Sequence, residues 1–296
     1  MKINGTCAKG FYLVTTDHLC ECIWFRDEED FRAGMNAVPI IACPMSVKVV
    51  AFILMSNHVH FLLYCTRDEA ERFIAAYKGF HSRYMHCKYG IREMLRENHA
   101  DVQRIGEDGE SVEWVIAYIH MNCVAANICL SSTDYPWGTG DAFFRSRPCK
   151  GIALGTFSVR ARTRLLHSAK VLPAGMLVGE DGFILPASYV DVKYVEARFQ
   201  TPKRMLYFLK WSSKARKFLG DDAPEYPNFR DQILVAAISD LCHSLFRKES
   251  ISDLNDQQLA ELLRQLRFRF SSYAEQLARV CGIPYTRVTT LLDAPI

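Results

Sequence analysis

The sequence has no apolar run of the roughly 20 residues that a bilayer-spanning helix needs, so we expect no membrane insertion. Its start, Met1 to Thr6, lacks the apolar core of a signal peptide, and we therefore expect a cytoplasmic protein. No Cys-x-x-Cys pair occurs among the 11 cysteines, which argues against a zinc ribbon or a redox dithiol. Their odd number and irregular spacing make reduced thiols the simplest interpretation.

Length and composition indicate a globular protein. At 296 residues, with 49% hydrophobic and 23% charged residues, the chain can bury a full core and is long enough for two domains. Residues 1–150 hold 16 basic against 18 acidic side chains, whereas residues 151–296 hold 20 against 15. The basic second half suits a polyanionic partner.

Hydrophobic periodicity predicts an α+β domain in the first half. Residues 91–110 are polar, and we expect them to be irregular. The pattern of strands and helices predicts one antiparallel sheet with helices on one face. The predicted elements are strands at 11–16, 49–55 and 58–64, with helices from Asp27 toward Met35, from Arg67 to a stop at Gly90, and from Ser111 to Val124.

The most informative motif is His58-Val59-His60, which lies in an apolar segment. Alternate side chains of a strand point to the same face, so both imidazoles project together while Val59 enters the core. Two neutral imidazoles on one rigid face can occupy two positions on a divalent metal. The alternative is a pair of histidines that only fill a half-buried sheet, but the paired arrangement favours metal binding.

Tyr118 and Asn122 lie four residues apart on the last of these predicted helices and share one of its faces. A tyrosine hydroxyl beside a histidine-bound metal can attack a phosphodiester, and the Asn122 amide oxygen could be a third ligand. On spacing alone, a surface tyrosine of an amphipathic helix is the favoured interpretation. Tyr77, Tyr84 and Tyr89 are rival nucleophiles, of which we interpret Tyr84 as helix packing.

Several segments resemble the single-tyrosine IS200-like transposases and their REP-associated relatives. Residues 55–63 (MSNHVHFLL) resemble the His-hydrophobic-His (HUH) strand of that family. Residues 118–124 (YIHMNCV) resemble its Tyr-Ile-His-x-Asn-Pro-Val helix. Residues 80–84 (FHSRY), 88–90 (KYG) and 134–137 (DYPW) match further segments in the same order. The resemblance covers residues 10–145.

This resemblance implies a ferredoxin-like HUH nuclease fold in which His58 and His60 ligate Mg²⁺ or Mn²⁺ and Asn122 completes the site. Tyr118 would attack a phosphate of single-stranded DNA, leaving a 5′-phosphotyrosine and a free 3′-OH. A 3′-OH of a second strand would then resolve the adduct. Cys123 stands where the family has proline, and residues 125–127 (AAN) replace its Arg-Ala-Gly, so the chain departs from the family in part of its DNA-binding periphery.

The C-terminal half contains a basic segment with interleaved aromatic residues at 196–218. After Glu196 it holds seven Lys or Arg side chains and no acid. Basic side chains bind phosphates and aromatic rings stack on bases, although an amphipathic helix with a solvated basic face explains the pattern equally well. The nucleic-acid-binding residues predicted here are Lys203, Arg204, Lys210 and Trp211.

Residues 274–292 resemble a helix-turn-helix, with Gly282 in the turn. The second helix would expose a short polar surface to a DNA groove. The alternative is a helix-turn-helix pattern that makes no DNA contact. The residues predicted to reach DNA are Tyr285, Thr286 and Arg287.

Together these patterns predict a nuclease domain at 1–148 and a basic, mostly helical DNA-binding domain at 149–296. The predicted function is a transposase-like endonuclease that nicks and rejoins single-stranded DNA at hairpin-flanked sites. The rival interpretations are a non-catalytic DNA-binding protein, acting through the helix-turn-helix, and a metal-dependent phosphodiesterase that uses water. The sequence leaves open whether the chain forms a homodimer.

Overall fold

A computed structural model describes residues 8–16, 23–92, 95, 99–107, 109–126, 128–210, 231–270, 272 and 274–293. The chain divides into two compact units. The first comprises Met1–Cys123 with Ser131–Ala223, and the second comprises Val124–Leu130 with Pro224–Ile296.

Within the first unit, the described residues up to Ile105 form an antiparallel four-stranded sheet and two helices in the order β-α-β-β-α-β. The elements are β1 (Gly10–Thr16), α1 (Glu28–Met45), β2 (Lys48–Met55), β3 (His58–Cys65), α2 (Arg67–Tyr89) and β4 (Ala100–Ile105). The strand order is β2-β3-β1-β4, which is the ferredoxin-like topology. Ser56 and Asn57 form the tight turn between β2 and β3, as the sequence predicts. The α+β prediction is confirmed.

Local capping sets the ends of the two helices. The Asp27 carboxylate accepts a hydrogen bond from the Asp30 N–H at the start of α1. Thr66 and Glu69 form a reciprocal capping box at the start of α2. Gly90 ends α2 with φ +70°, a backbone conformation that glycine adopts without strain. The end of α2 therefore lies where the sequence places it.

The two faces of the sheet are covered by different helices. Phe61 contacts Tyr77 of α2, with ring centroids 5.1 Å apart, so α2 lies on the Phe61 face. His60 is the preceding residue of β3 and therefore points to the opposite face. Tyr118, from helix α3 (Ser111–Ala125), lies against His60 on that second face.

Strand β4 shows that the irregular structure expected for residues 91–110 was wrong. Val102 and Ile105 are its buried side chains, and the residues between them are exposed and polar. This low hydrophobicity follows from the position of β4 at the edge of the sheet, where it pairs with β1. The strand is set by long-range backbone pairing rather than by its own side chains.

Residues 131–210 belong to the first unit, which therefore extends past the boundary that we placed at residue 148. Buried Asn36 of α1 holds this segment by donating from Nδ2 to the Leu165 carbonyl (3.1 Å) and accepting at Oδ1 from the Ile184 N–H (2.8 Å). The elements of the segment are β5 (Ile152–Ala153), α4 (Val159–Leu166), β6 (Leu177–Val178), α5 (Val192–Phe199) and α6 (Pro202–Lys210).

The described part of the second unit is helical, as expected for the C-terminal region. Its helices are α7 (Asp231–Phe246), α8 (Asp256–Phe270), α9 (Ala274–Cys281) and α10 (Tyr285–Asp293). Gly282, with φ +65°, stands between α9 and α10. Among the described helices of the whole chain, none has the length and hydropathy to cross a bilayer.

Candidate functional site

The two histidines of β3 lie side by side on the face that α3 covers. Their ring centroids are 4.9 Å apart and their planes are nearly perpendicular, at 87°. Both are buried, with 5% of His58 and 2% of His60 exposed. The period-two geometry of the strand therefore brings the imidazoles together, as the sequence predicts.

Hydrogen bonds at Nδ1 orient both rings. The Nδ1 of His58 lies 2.7 Å from the Asn57 Oδ1, an acceptor, so this nitrogen carries the proton and donates. The Nδ1 of His60 lies 3.0 Å from the Thr15 hydroxyl, which can accept the same kind of bond. With the proton on Nδ1, the lone pair that can bind a metal is on Nε2. Asn57 and Thr15 are supporting residues that the sequence did not single out.

Helix α3 brings Tyr118 to this histidine pair. The Tyr118 ring is half-buried and lies 5.4 Å from the His60 ring, centroid to centroid, at an angle of 78°. Buried Asn122 follows one turn later and donates from Nδ2 to the carbonyls of Tyr118 (2.8 Å) and Ile119 (3.3 Å). Because these bonds use the amide nitrogen, Oδ1 is the Asn122 atom suited to binding a cation.

A buried hydrogen-bonded clamp ties α3 to strand β2. The Thr139 hydroxyl donates to the Phe52 carbonyl (3.1 Å) and accepts from the Phe52 N–H (3.0 Å). Because its one proton is used, His120 Nε2, 3.0 Å away, must be the donor to this hydroxyl. Burial lowers the pKa of His120 to about 4, so the ring is neutral. The bond to Thr139 gives His120 a structural role in holding α3.

The candidate donors fit a divalent metal by their chemistry. Among the described residues, no group of three or more His, Cys, Asp or Glu side chains is placed to hold a metal ion. The candidate donors are the imidazole nitrogens of His58 and His60 and the amide oxygen of Asn122, which lies one turn after Tyr118 on α3. Imidazole nitrogens bind divalent transition metals, and an amide oxygen suits Mg²⁺ or Mn²⁺.

The rival tyrosines have other structural partners. Tyr77 is fully buried and donates to the Gly34 carbonyl (3.2 Å). Tyr84 packs edge-on against His167 at 5.0 Å, and burial raises its pKa. The Tyr89 hydroxyl donates to carboxylates at the start of α1, and burial raises its pKa as well. Among these four tyrosines, Tyr118 is the one whose ring contacts His60.

The predicted basic segment is partly structural. Arg204 makes an ion pair with Glu110 (2.8 Å), the residue that precedes α3. Phe208 is buried and packs against Trp114 of α3 with a centroid distance of 4.6 Å. Helix α6 therefore packs on α3. Lys203 and Lys210 are exposed, and Trp211 lies outside the described residues.

The predicted DNA-contacting residues of the second unit lie on an exposed surface of α10. Tyr285, Thr286 and Arg287 are all exposed, whereas Val288 is fully buried. Arg287 also makes an ion pair with Asp256 of α8 (2.7 Å). Tyr285 and Thr286 are therefore presented to solvent on a packed helix.

Comparison with solved structures finds a similarity to a REP-associated tyrosine transposase bound to a REP hairpin. The sequence identity is 13%, the TM-score is 0.36, and the match covers 59% of this chain and 96% of the transposase chain. No protein-family model and no curated protein matches the sequence. The function proposed below therefore rests on the geometry of the residues of this chain.

Proposed function

We propose that this chain is a transposase-like endonuclease and strand transferase that cuts single-stranded DNA through Tyr118. The observation that carries the proposal is the contact between the Tyr118 and His60 rings, with His58 beside them. A nucleophile from a helix thereby meets two potential metal ligands from a strand. This combination can support phosphoryl transfer through a tyrosine.

In the proposed reaction, the Tyr118 oxygen bonds to a DNA phosphorus while the bond from phosphorus to the 3′ oxygen breaks. The tyrosine proton passes to solvent, and the leaving 3′ oxygen takes up a proton. A 5′-phosphotyrosine and a 3′-OH result, and attack by a second 3′-OH reverses the exchange without an external energy source. Held by His58, His60 and Asn122, Mg²⁺ or Mn²⁺ would stabilise negative charge on the phosphoryl oxygen.

The fold of the chain holds the nucleophile and the two histidines in place. Tyr118 is held by its helix, and the clamp of His120 and Thr139 fixes that helix against β2. The His58 and His60 rings are held by Asn57 and Thr15. Fixing both partners before substrate arrives lowers the entropic part of the barrier.

A covalent-adduct assay tests the proposal. Labelled single-stranded oligonucleotides that tile both strands of the DNA flanking the gene are incubated with protein and Mn²⁺ and separated on a denaturing gel. We expect a shifted band that disappears with EDTA and in Tyr118→Phe but persists in Tyr64→Phe. Tyr64 is a matched control because it lies half-buried on the same face of β3 as the histidines.

The other outcomes identify the rival functions. A metal-dependent band that survives Tyr118→Phe would show that another residue is the nucleophile. Metal-dependent cleavage without an adduct would indicate a phosphodiesterase that uses water.

We also propose that the second unit binds DNA through α10, since Tyr285 and Thr286 are exposed beside buried Val288. If no adduct forms and hairpin binding is lost in Thr286→Glu, the chain is a DNA-binding protein that acts through this helix. If binding is unchanged in Thr286→Glu, α10 is not the DNA contact.

A further inference from the structure

The first unit contains a long segment that carries positive charge and no negative charge. Between Asp141 and Glu180 the sequence has no acidic residue. This segment lies mostly beyond residue 145, where the resemblance to the transposase family ends. Its basic residues are Arg145, Arg147, Lys150, Arg160, Arg162, Arg164 and Lys170.

Helix α4 concentrates three of these charges on a short, well-anchored element. Leu166 is buried at the end of α4, and the neighbouring Leu165 carbonyl accepts the hydrogen bond from Asn36 of α1. Ser158 caps the start of the helix by accepting from the Ala161 N–H (3.2 Å). Both ends are therefore fixed, and the exposed face of α4 has a defined direction.

Arg160 and Arg164 lie on that exposed face. They are four residues apart, which places them on one side of the helix about 6 Å apart along its axis. Both are exposed, whereas Arg162, two positions from each, is half-buried. Leu166 lies on the opposite side of α4 from this arginine pair. The face therefore presents two cationic side chains to solvent.

Among the residues that the structure describes, neither arginine has an acidic partner. Within the part of the chain that the structure describes, the ion pairs of basic side chains involve other residues, such as Arg145 with Asp141 and Arg204 with Glu110. Arginine suits phosphate recognition because its planar guanidinium donates two parallel hydrogen bonds to phosphate oxygens. An exposed pair with no acidic neighbour in the sequence favours a polyanionic partner.

We propose that the face of α4 bearing Arg160 and Arg164 binds the phosphate backbone of double-stranded DNA. This inference rests on the proposed function for the choice of DNA as the polyanion. Single-strand binding surfaces combine cations with aromatic rings on which bases stack. The other exposed residues of α4 are Val159, Ala161 and Thr163, which have no ring to stack. A duplex stem beside the cleaved strand therefore fits this face better than an unpaired strand.

The test measures how the binding of DNA by the full chain depends on salt concentration. EDTA is present, so that binding is measured without metal-dependent cleavage. Fluorescence anisotropy is recorded with a labelled DNA hairpin that has no unpaired flanks and, separately, with labelled oligothymidine. In Arg160→Gln/Arg164→Gln we expect the slope of log K against log salt for the hairpin to fall by about 2, since each lost phosphate contact removes about 0.9. The oligothymidine slope should change less.

A matched control is Arg67→Gln/Arg72→Gln on α2. This pair removes the same charge from another exposed helix surface, where Arg67 already pairs with Glu71. We expect its hairpin slope to equal that of the unmodified chain. Glutamine has nearly the same helix propensity as arginine, and far-UV circular dichroism should confirm that both variants keep the helical content.

Three results would overturn the proposal: no hairpin binding by the unmodified chain, an unchanged slope in Arg160→Gln/Arg164→Gln, or an equal loss in the control pair. Binding to phosphatidylserine vesicles that needs the two arginines, with hairpin binding unaffected, would assign the face to a membrane surface instead. The covalent-adduct assay is independent of this measurement. If no adduct forms but the hairpin slope falls, the duplex-binding face stands and the nuclease proposal fails.

Discussion

Replacing Thr139 by valine tests whether the clamp between α3 and β2 sets the position of Tyr118. Valine has nearly the shape of threonine but lacks the hydroxyl, so the change removes hydrogen bonds and leaves little cavity. The Phe52 N–H and the His120 Nε2–H would both lose their acceptor. The Phe52 carbonyl would keep its bond from the Thr139 N–H (3.0 Å).

The expected cost follows from the burial of the two donors. Thr139 is fully buried and His120 is 1% exposed, so water cannot replace the lost acceptor. An unsatisfied buried donor costs about 1–3 kcal/mol, and two of them should lower the free energy of unfolding by roughly 2–6 kcal/mol. The free energy of unfolding of a typical domain is about 5–15 kcal/mol, so the effect is large enough to measure.

Urea unfolding followed by far-UV circular dichroism measures this free energy, and the adduct assay measures the effect on the site. We expect adduct formation to fall in Thr139→Val under conditions where the protein is still folded. Thr133→Val is the control, because Thr133 is exposed and its change should shift stability by less than about 0.5 kcal/mol. A Thr139→Val protein as stable and as active as the unmodified chain would refute the reasoning.

Two further substitutions test the structure. Burial lowers the pKa of His81 to about 4, whereas its pKa in the unfolded chain is about 6.5. Between these two pH values the unfolded state binds more protons than the folded state. The free energy of unfolding therefore falls as the pH falls through this window. Across this window the free energy of unfolding should fall by up to about 3 kcal/mol less in His81→Gln than in the unmodified chain. In exposed His86→Gln it should fall as in the unmodified chain, and urea unfolding at each pH measures both. A methyl group at Gly140 would overlap the Ser132 carbonyl, so Gly140→Ala should lower the urea midpoint, whereas Gly175→Ala, with open space around it, should leave the midpoint unchanged. Equal midpoints for the two alanine variants would contradict the close packing at Gly140.

The sequence predicts those features that depend on local periodicity. The strand that carries His58 and His60 has alternating side chains, so their shared face follows directly from the spacing. The four-residue separation of Tyr118 and Asn122 places them on one helix face by the same kind of rule. The contact between these two faces depends on the tertiary structure, and the sequence indicates it only through the family resemblance.

Other features depend on partners that are distant in the chain. Strand β4 is polar because it lies at the sheet edge, and its pairing with β1 is not encoded in its own hydrophobic pattern. Arg204 has its acidic partner Glu110 in a different element. Thr139 lies in a short loop segment where nothing distinguishes its hydroxyl from that of any surface threonine. Local patterns cannot identify such contacts.

The strand order has a consequence for the timing of synthesis. Strand β1 is translated first, but its neighbours in the sheet are β3 and β4, which leave the ribosome later. Helix α3 follows β4, so Tyr118 emerges after all four strands of this sheet. At about 5–20 residues per second, the histidines of β3 are present for several seconds before the tyrosine reaches them. A chain interrupted before residue 111 would therefore carry both candidate metal ligands of β3 and lack the residue proposed to attack DNA.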